Sequence, residues 1–290
     1  MRICRAICYF AFSATLALTV ACRAAAGHPT TRPTEPLKVL LITGGCCHDY
    51  AQQKDILQKG LAERANVVIT QVHTDDDSTK PALAILGRPD YANGYDLVIH
   101  DECASDIKDP EIVEDVLKPH RDGLPGVNLH CAMHSYRIGD PDEPVTPGSP
   151  HGYWFEYLGL QSSGHDAQAP IAITYVDPGS SITRGLSDWT TVDEELYNNI
   201  HVFDNTHVIA RGKQVLARED GSTVTNDFVV AWTSEYGPKH TRVFSTTIGH
   251  NNTTVGDPRY LDLVARGVLW ATGHLQADGT PAQGYGPGGK

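Results

Sequence analysis

Histidine and cysteine recur in this chain where apolar runs stop. PGVNLHCAMHSYR, residues 125–137, sets His130, Cys131 and His134 directly behind the short run Val127, Asn128, Leu129. Cys46, Cys47 and His48 follow LKVLLIT and two glycines, and His100, Asp101, Glu102 and Cys103 close the segment YDLVIHDEC. Neutral imidazole and carboxylate are ligands for zinc, manganese or iron, and thiolate extends the set toward zinc. The same imidazoles serve as acids and bases, since histidine titrates near neutral pH. The chain contains no HExxH or CxxC pair, so any metal ligands must come from separate segments. Cys131 admits a second reading, as a thiolate behind a strand activated by a nearby histidine. No G-x-C-x-G or G-x-S-x-G elbow surrounds it, and a buried structural cysteine accounts for it equally well.

For these groups to meet, their strands must lie side by side. LKVLLIT, residues 37–43, is a continuous apolar run before Gly44 and Gly45, the pattern of a strand buried on both faces. Ile56, Leu57 and Leu61 then recur at helical spacing, and NVVITQV, residues 66–72, returns to β-branched residues. YDLVIHDEC is a third strand; Asp109 and Pro110 cap and open a helix with a stripe of Ile112, Val113, Val116 and Leu117; the stretch ending at Leu129 is a fourth strand. An open parallel sheet binds ligands outside the carboxyl ends of its strands, so all three polar strand ends are expected in one crevice.

Between the second and third strands, residues 74–93 read as a loop in which Asp75, Asp76 and Asp77 form a solvated acidic turn. Residues 140–150, DPDEPVTPGSP, are a proline-rich loop beside the strand ends. Trp154, Phe155, Tyr157 and Leu158 read as helix core, with stacking on a sugar ring as the alternative. IAITYV, HVIARG, QVLARE, DFVVAWT and RVFSTT follow as five strand-like runs, and a last helix is capped by Asp257, started by Pro258 and stopped by Gly273.

Residues 1–26 read as a secretory signal: Arg2 and Arg5 precede an apolar run from Ile7 to Ala21, and Ala24, Ala25 and Ala26 resemble a cleavage site. The run is short for a stable membrane span. Cys22, in LTVAC, is a possible lipid-anchor position. The expected location is secreted or periplasmic. Residues 27–36 are a linker, residues 37–275 one folded domain, and residues 276–290 a Gly/Pro-rich tail expected to be disordered. Loss of Arg2, Arg5 and Arg23 with the signal leaves 20 of the 23 basic residues against 35 acidic ones, a net charge of −15. That surface excludes nucleic acid as a partner. Four cysteines remain, and Cys46 and Cys47, being adjacent, are expected to pair with Cys103 or Cys131 rather than with each other.

The ordered series KVLLITGG, HDY, YDLVIHDE, GVNLHCA, GHDAQAPIAITYVDPGSSITRGLSDW, DEELY, VVAWTSEYG, RVFSTTIGHN and RGVLWATG resembles the trehalose-utilisation (ThuA-like) family, within the class I glutamine amidotransferase-like superfamily. The resemblance implies a flavodoxin-like α/β three-layer sandwich with a mainly parallel central sheet and extra β-hairpins. It also implies that the amidotransferase nucleophile position is a histidine, here His130, with Cys131 displaced by one residue. The family's polar cluster carries over to His48, His130, His165, Glu195 and His250. On this reading His130, Glu195 and His48 are catalytic; His165, His250, Asn251, Tyr197 and Cys131 bind substrate; and His48, His130 and His250 hold a divalent metal such as zinc, manganese or iron. The implied partner is a carbohydrate, a disaccharide or its 3-keto derivative. A Cys131-dependent amidotransferase-like hydrolase and a non-catalytic sugar-binding module are the alternatives.

Overall fold

The first strand divides its side chains between two cores. In the computed structural model, which describes residues 34–290, strand β1 (Leu37–Gly45) sends Leu37, Val39 and Leu41 into one apolar cluster and Leu40 and Ile42 into another. A strand covered on both faces needs that continuous apolar run, because alternate residues point to opposite sides. Helices α1 (Tyr50–Ala62), α4 (Asn252–Val255) and α5 (Pro258–Ala271) accompany the first cluster, and α2 (Pro110–Arg121) and α3 (Tyr153–Leu158) the second. The result is the three-layer α/β sandwich implied by the resemblance. The signal-like residues 1–26, Cys22 and most of the linker lie outside the described residues.

Strands β2 (Val67–His73), β3 (Leu97–Cys103), β4 (Gly126–Leu129) and β11 (Thr241–Thr246) join β1 in parallel, in the order β2-β1-β3-β4-β11. That is the flavodoxin-like order. Beyond β11 the sheet continues antiparallel through β10 (Thr223–Tyr236), β9 (Thr206–Ala217), β6 (Ala169–Tyr175) and β7 (Trp189–Glu194), giving nine strands. A two-stranded ribbon of β5 (Leu160–Gln161) and β8 (His201–Val202) stands apart. HVIARG and QVLARE, read as two runs, form the single strand β9, because Gly212 continues the ladder opposite Phe228 and Ile173. β7 escapes a reading based on apolar runs: WTTVDE buries only Trp189, Thr191 and Glu194.

The aromatic cluster is core. Trp154, Phe155 and Tyr157 are each at most 1% exposed, and the Trp154 indole N–H donates to the Ala132 carbonyl at 2.8 Å. Two expectations need correction. Residues 276–290 pack against the domain: Tyr285 stacks on His274 with ring centres 3.5 Å apart, and Asn66 donates its backbone N–H to the Tyr285 carbonyl at 2.9 Å and its side-chain amide to Gly284 at 3.0 Å. One aromatic anchor and a set of backbone hydrogen bonds hold a segment that has no apolar periodicity. Cys46 and Cys47 pair with each other, in a turn where Gly44 and Gly45 take φ of 131° and 99° and Cys47 itself takes 81°. Among the described residues, no helix is long and apolar enough to cross a membrane.

Candidate functional site

Four strand ends converge at one edge of the sheet. His48 follows β1, His130 follows β4, His250 follows β11, and Glu195 is the residue after β7. One ligand atom from each of the four lies within 4.8 Å of the others. Glu195 is the hub: its carboxylate is 3.3 Å from His130 Nε2, 3.4 Å from His165 Nε2 and 3.1 Å from His250 Nδ1. The antiparallel extension is therefore part of the site, since it carries the only carboxylate in this cluster to the ends of the parallel strands.

His130 is set by backbone geometry. It occupies φ of 40°, a region that non-glycine residues rarely adopt, at the tight turn leaving β4. Its Nδ1–H donates to the Thr247 carbonyl at 2.6 Å, which turns Nε2 toward Glu195 and the Tyr197 hydroxyl, each 3.3 Å away. A backbone carbonyl that fixes the tautomer in this way is a usual support for a metal-bound imidazole. The chain next to His130 is equally confined. A Cβ on Gly249, whose φ is 134°, would stand 2.9 Å from the Tyr260 hydroxyl and 3.4 Å from His130 Cβ.

His250 is held by Glu194. That carboxylate accepts the main-chain N–H groups of His250 and Asn251, each at 2.9 Å, and of Gly249 at 3.4 Å, while the Gln53 amide binds the carbonyls of Gly249 and His250 at 3.2 and 3.1 Å. Gln168 donates to His250 Nε2 at 2.8 Å and to Glu195 at 3.3 Å. His250 Nδ1, though close to Glu195, lacks hydrogen-bond alignment with it. Gln168 and Glu194 are not singled out by sequence reasoning. The first lies within the quoted GHDAQAP stretch, and the second differs from Glu195 only in which face of the chain it occupies.

Electrostatics separate the members. Burial first, and then the neighbouring His130 and His250, lower the His48 pKa to about 2, so His48 is neutral; its Nδ1 is buried without a hydrogen-bond partner. Burial acts to raise Glu195, but the imidazoles of His130, His250 and His165 gathered around it outweigh burial and hold the carboxyl well below the usual carboxylate range. The Glu195 carboxylate in turn raises His250. Three imidazoles and one ionised carboxylate, with the buried Nδ1 atoms of His48 and His250 both without a hydrogen-bond partner, make a donor set suited to a divalent cation.

The other predicted residues are arranged around this cluster. His165, about one-third exposed, stacks near-parallel to Tyr197 with ring centres 5.5 Å apart. Asn251 caps α4 with its side chain and lines an open cavity of about 600 Å³ together with Cys47, His48, Asp49, Asp77 and His250. A similar cavity of about 610 Å³ beside Arg121, Tyr153 and His201 carries none of these ligands. His100 and Glu102, expected in the same crevice, are fully buried instead: His100 Nδ1 meets Glu102 at 2.8 Å and its Nε2 meets His120 at 3.1 Å. His134 is likewise withdrawn, bonded to Ser162 at 3.0 Å and stacked on Tyr197. Cys131 directs its S–H to Cys103 at 2.7 Å, and that bond together with burial pushes its thiol pKa well up, opposite to what an activated nucleophile needs.

Comparison with known proteins agrees with the fold. The chain resembles a ThuA-like protein of Parabacteroides merdae, at 16% identity over 86% of this chain and 97% of that one, with a TM-score of 0.59. It also resembles a ThuA-like protein of Bacteroides uniformis, at 14% identity over 84% and 95%, with a TM-score of 0.55. None of the curated proteins compared with the chain matches it. The family model described as trehalose utilisation (ThuA) matches residues 38–271, and the chain belongs to that family.

Proposed function

We propose that this chain is an exported enzyme of carbohydrate metabolism that acts on disaccharides or their 3-keto derivatives. The observation that carries the reading is the grouping of His48, His130, His250 and Glu195 at the ends of four strands, with His48 and His250 lining a cavity of polar groups. His48, His130 and His250 are the metal ligands. A bound divalent metal supplies Lewis-acid polarisation of a sugar carbonyl.

The remaining chemistry belongs to the protein. Glu195, ionised and surrounded by imidazoles, takes the proton from the carbon next to the ketone. The freed electron pair forms a carbon–carbon double bond as the bond to the departing glycosidic oxygen breaks. That oxygen takes its proton from His165, which is close to Glu195 yet reaches solvent. Tyr197 supports both, by its contact with His130 and its stacking beneath His165. Asp49, Asn251 and Asn252 border the cavity and suit sugar hydroxyls.

Elemental analysis beside a turnover assay with a 3-keto-disaccharide tests this. Wild-type protein is expected to hold about one equivalent of divalent metal, which the His48→Ala, His130→Ala double variant loses together with turnover. Wild type that binds neither zinc nor manganese after incubation, or equal metal in both proteins, would sink the ligand assignment. Unchanged turnover in Glu195→Gln would sink the proton-transfer role.

A further inference from the structure

Four sulphurs stand in a row beside the histidine cluster, and the sugar chemistry uses none of them. Cys46 and Cys47 are disulfide-bonded, Cys46 Sγ lies 3.4 Å from Cys103 Sγ, and Cys103 Sγ lies 2.7 Å from Cys131 Sγ. The row passes from the exposed Cys47 through the half-buried Cys46 to Cys103 and Cys131, which are 3% and 5% exposed. Three segments bring it together: the turn after β1, the last residue of β3 and the turn after β4. Thiol–disulfide exchange needs a thiolate beside one sulphur of an existing disulfide, with a second thiol beside the first. Both adjacencies are present, in the order exchange requires.

We propose that these cysteines form an internal exchange site, in which oxidising equivalents pass between an outer Cys46–Cys47 disulfide and an inner Cys103–Cys131 disulfide. In the first step Cys103, as thiolate, attacks Cys46 Sγ. The Cys103–Cys46 bond forms and the Cys46–Cys47 bond breaks; the electron pair leaves on Cys47, which takes up a proton equivalent to the one Cys103 released. In the second step, with Cys103 disulfide-bonded and its hydrogen bond no longer holding the Cys131 proton, Cys131 gives up that proton and attacks Cys103 Sγ. The Cys131–Cys103 bond forms, the Cys103–Cys46 bond breaks, and Cys46 receives the pair and a proton. Two thiols are oxidised and one disulfide is reduced, so no outside oxidant is consumed. The Cys46, Cys47 dithiol left behind faces solvent, where an external disulfide of the glutathione class can reoxidise it. Because Cys47 sits in left-handed backbone directly before His48, the state of the outer pair bears on the segment that carries a histidine of the site.

Purified protein equilibrated in glutathione buffers of increasing oxidation, then acid-quenched, alkylated and mapped by mass spectrometry, tests the proposal. Two species are expected: one with Cys46 linked to Cys47, and one with Cys46 and Cys47 alkylated and Cys103 linked to Cys131. Cys131→Ser is expected to trap a Cys46–Cys103 link. Cys46→Ser, at a half-buried position, is expected to slow formation of the inner disulfide at least tenfold. Absence of any Cys103–Cys131 or Cys46–Cys103 link across the whole series overturns the proposal. So does an inner disulfide that forms at the wild-type rate in Cys46→Ser, since it would then arise without the outer pair. Thermal melts of each variant establish that the folded protein is being read.

Discussion

His130 donates its Nδ1–H to the Thr247 carbonyl at 2.6 Å, so the chain leaving β11 decides which nitrogen of the imidazole behind β4 faces Glu195. The two ends of adjacent parallel strands thus fix the orientation of the ring between them. Asparagine separates tether from ligand. Its amide nitrogen can reproduce the Nδ1–H bond, and it tolerates the φ of 40° better than most residues, but it offers nothing in place of Nε2. His130→Asn is therefore expected to unfold within about 1 kcal/mol of wild type while losing bound metal and turnover. His130→Ala removes both functions and leaves the Thr247 carbonyl without this partner, at a cost of about 1–3 kcal/mol. Urea unfolding beside metal analysis checks this; equal destabilisation of the two variants would show that the tether contributes nothing.

Adjacent glutamates are expected to fail in different ways. Glu194 accepts three main-chain N–H groups from Gly249 to Asn251 and so shapes the turn that presents His250. Glu194→Gln turns one acceptor into a donor facing those N–H groups, with an expected loss of about 1–3 kcal/mol in unfolding free energy. Glu195→Gln is expected to leave the unfolding midpoint near wild type and lower kcat about 10²- to 10⁴-fold. The contrast is read from denaturant curves and turnover on the same preparations. A large stability loss in Glu195→Gln with turnover intact would reverse the assignment.

Acid is expected to destabilise the fold through His120. This residue is fully buried; its Nδ1 meets the Leu124 carbonyl at 2.8 Å, its Nε2 meets His100 at 3.1 Å, and Tyr157 stacks on it. Burial first and His100 second lower its pKa from 6.5 to about 3. Between those values the unfolded chain binds a proton that the folded chain excludes, so unfolding free energy rises with pH there. The stability is fully present above pH 6.5, declines as pH falls toward 3 and flattens below it, by at most about 1.4 kcal/mol per pH unit for one proton. His120→Asn places its amide nitrogen where Nδ1 stands, keeps a donor for Leu124 and is expected to show a slope shallower by that one proton. Urea titrations at intervals from pH 7 to pH 4 measure it, and an unchanged slope would assign the acid sensitivity elsewhere.

What could be read from the sequence follows from where the physical signal is local. The parallel core was legible because strands buried on both faces must be continuously apolar and two of the helices packed on them carry Asp109 and Asp257 caps with prolines behind them. His48, His130 and His250 were legible because each stands just past an apolar strand. The sorting of strand-end residues was not. His100 and Glu102 look like His130 in sequence, yet the alternation of β3 turns both into the core, and only packing against His120 and Tyr136 reveals it. Glu194 and Glu195 illustrate the same limit one residue apart. The Cys46–Cys47 pairing depends on the left-handed backbone around Gly44, Gly45 and Cys47, which no spacing rule encodes.

The closing segment turns the same reasoning into a prediction. Residues 276–290 have no apolar stripe, and what anchors them is the side chain of Tyr285 stacked on His274, with its ring packed against the first core cluster. The Asn66 side-chain amide bonded to Gly284 and its main-chain N–H bonded to Tyr285 then tie the segment to the start of β2. Tyr285→Ala removes the stacking and the apolar contact and is expected to cost about 1–3 kcal/mol. Its effect should stay local, with amide exchange accelerating across residues 276–290 and around Asn66 while the histidine cluster keeps its metal. Tyr285→Phe retains the ring and should behave as wild type. Hydrogen exchange with mass spectrometry distinguishes the outcomes: rapid exchange of the closing segment in wild-type protein would show that the tyrosine holds nothing in place.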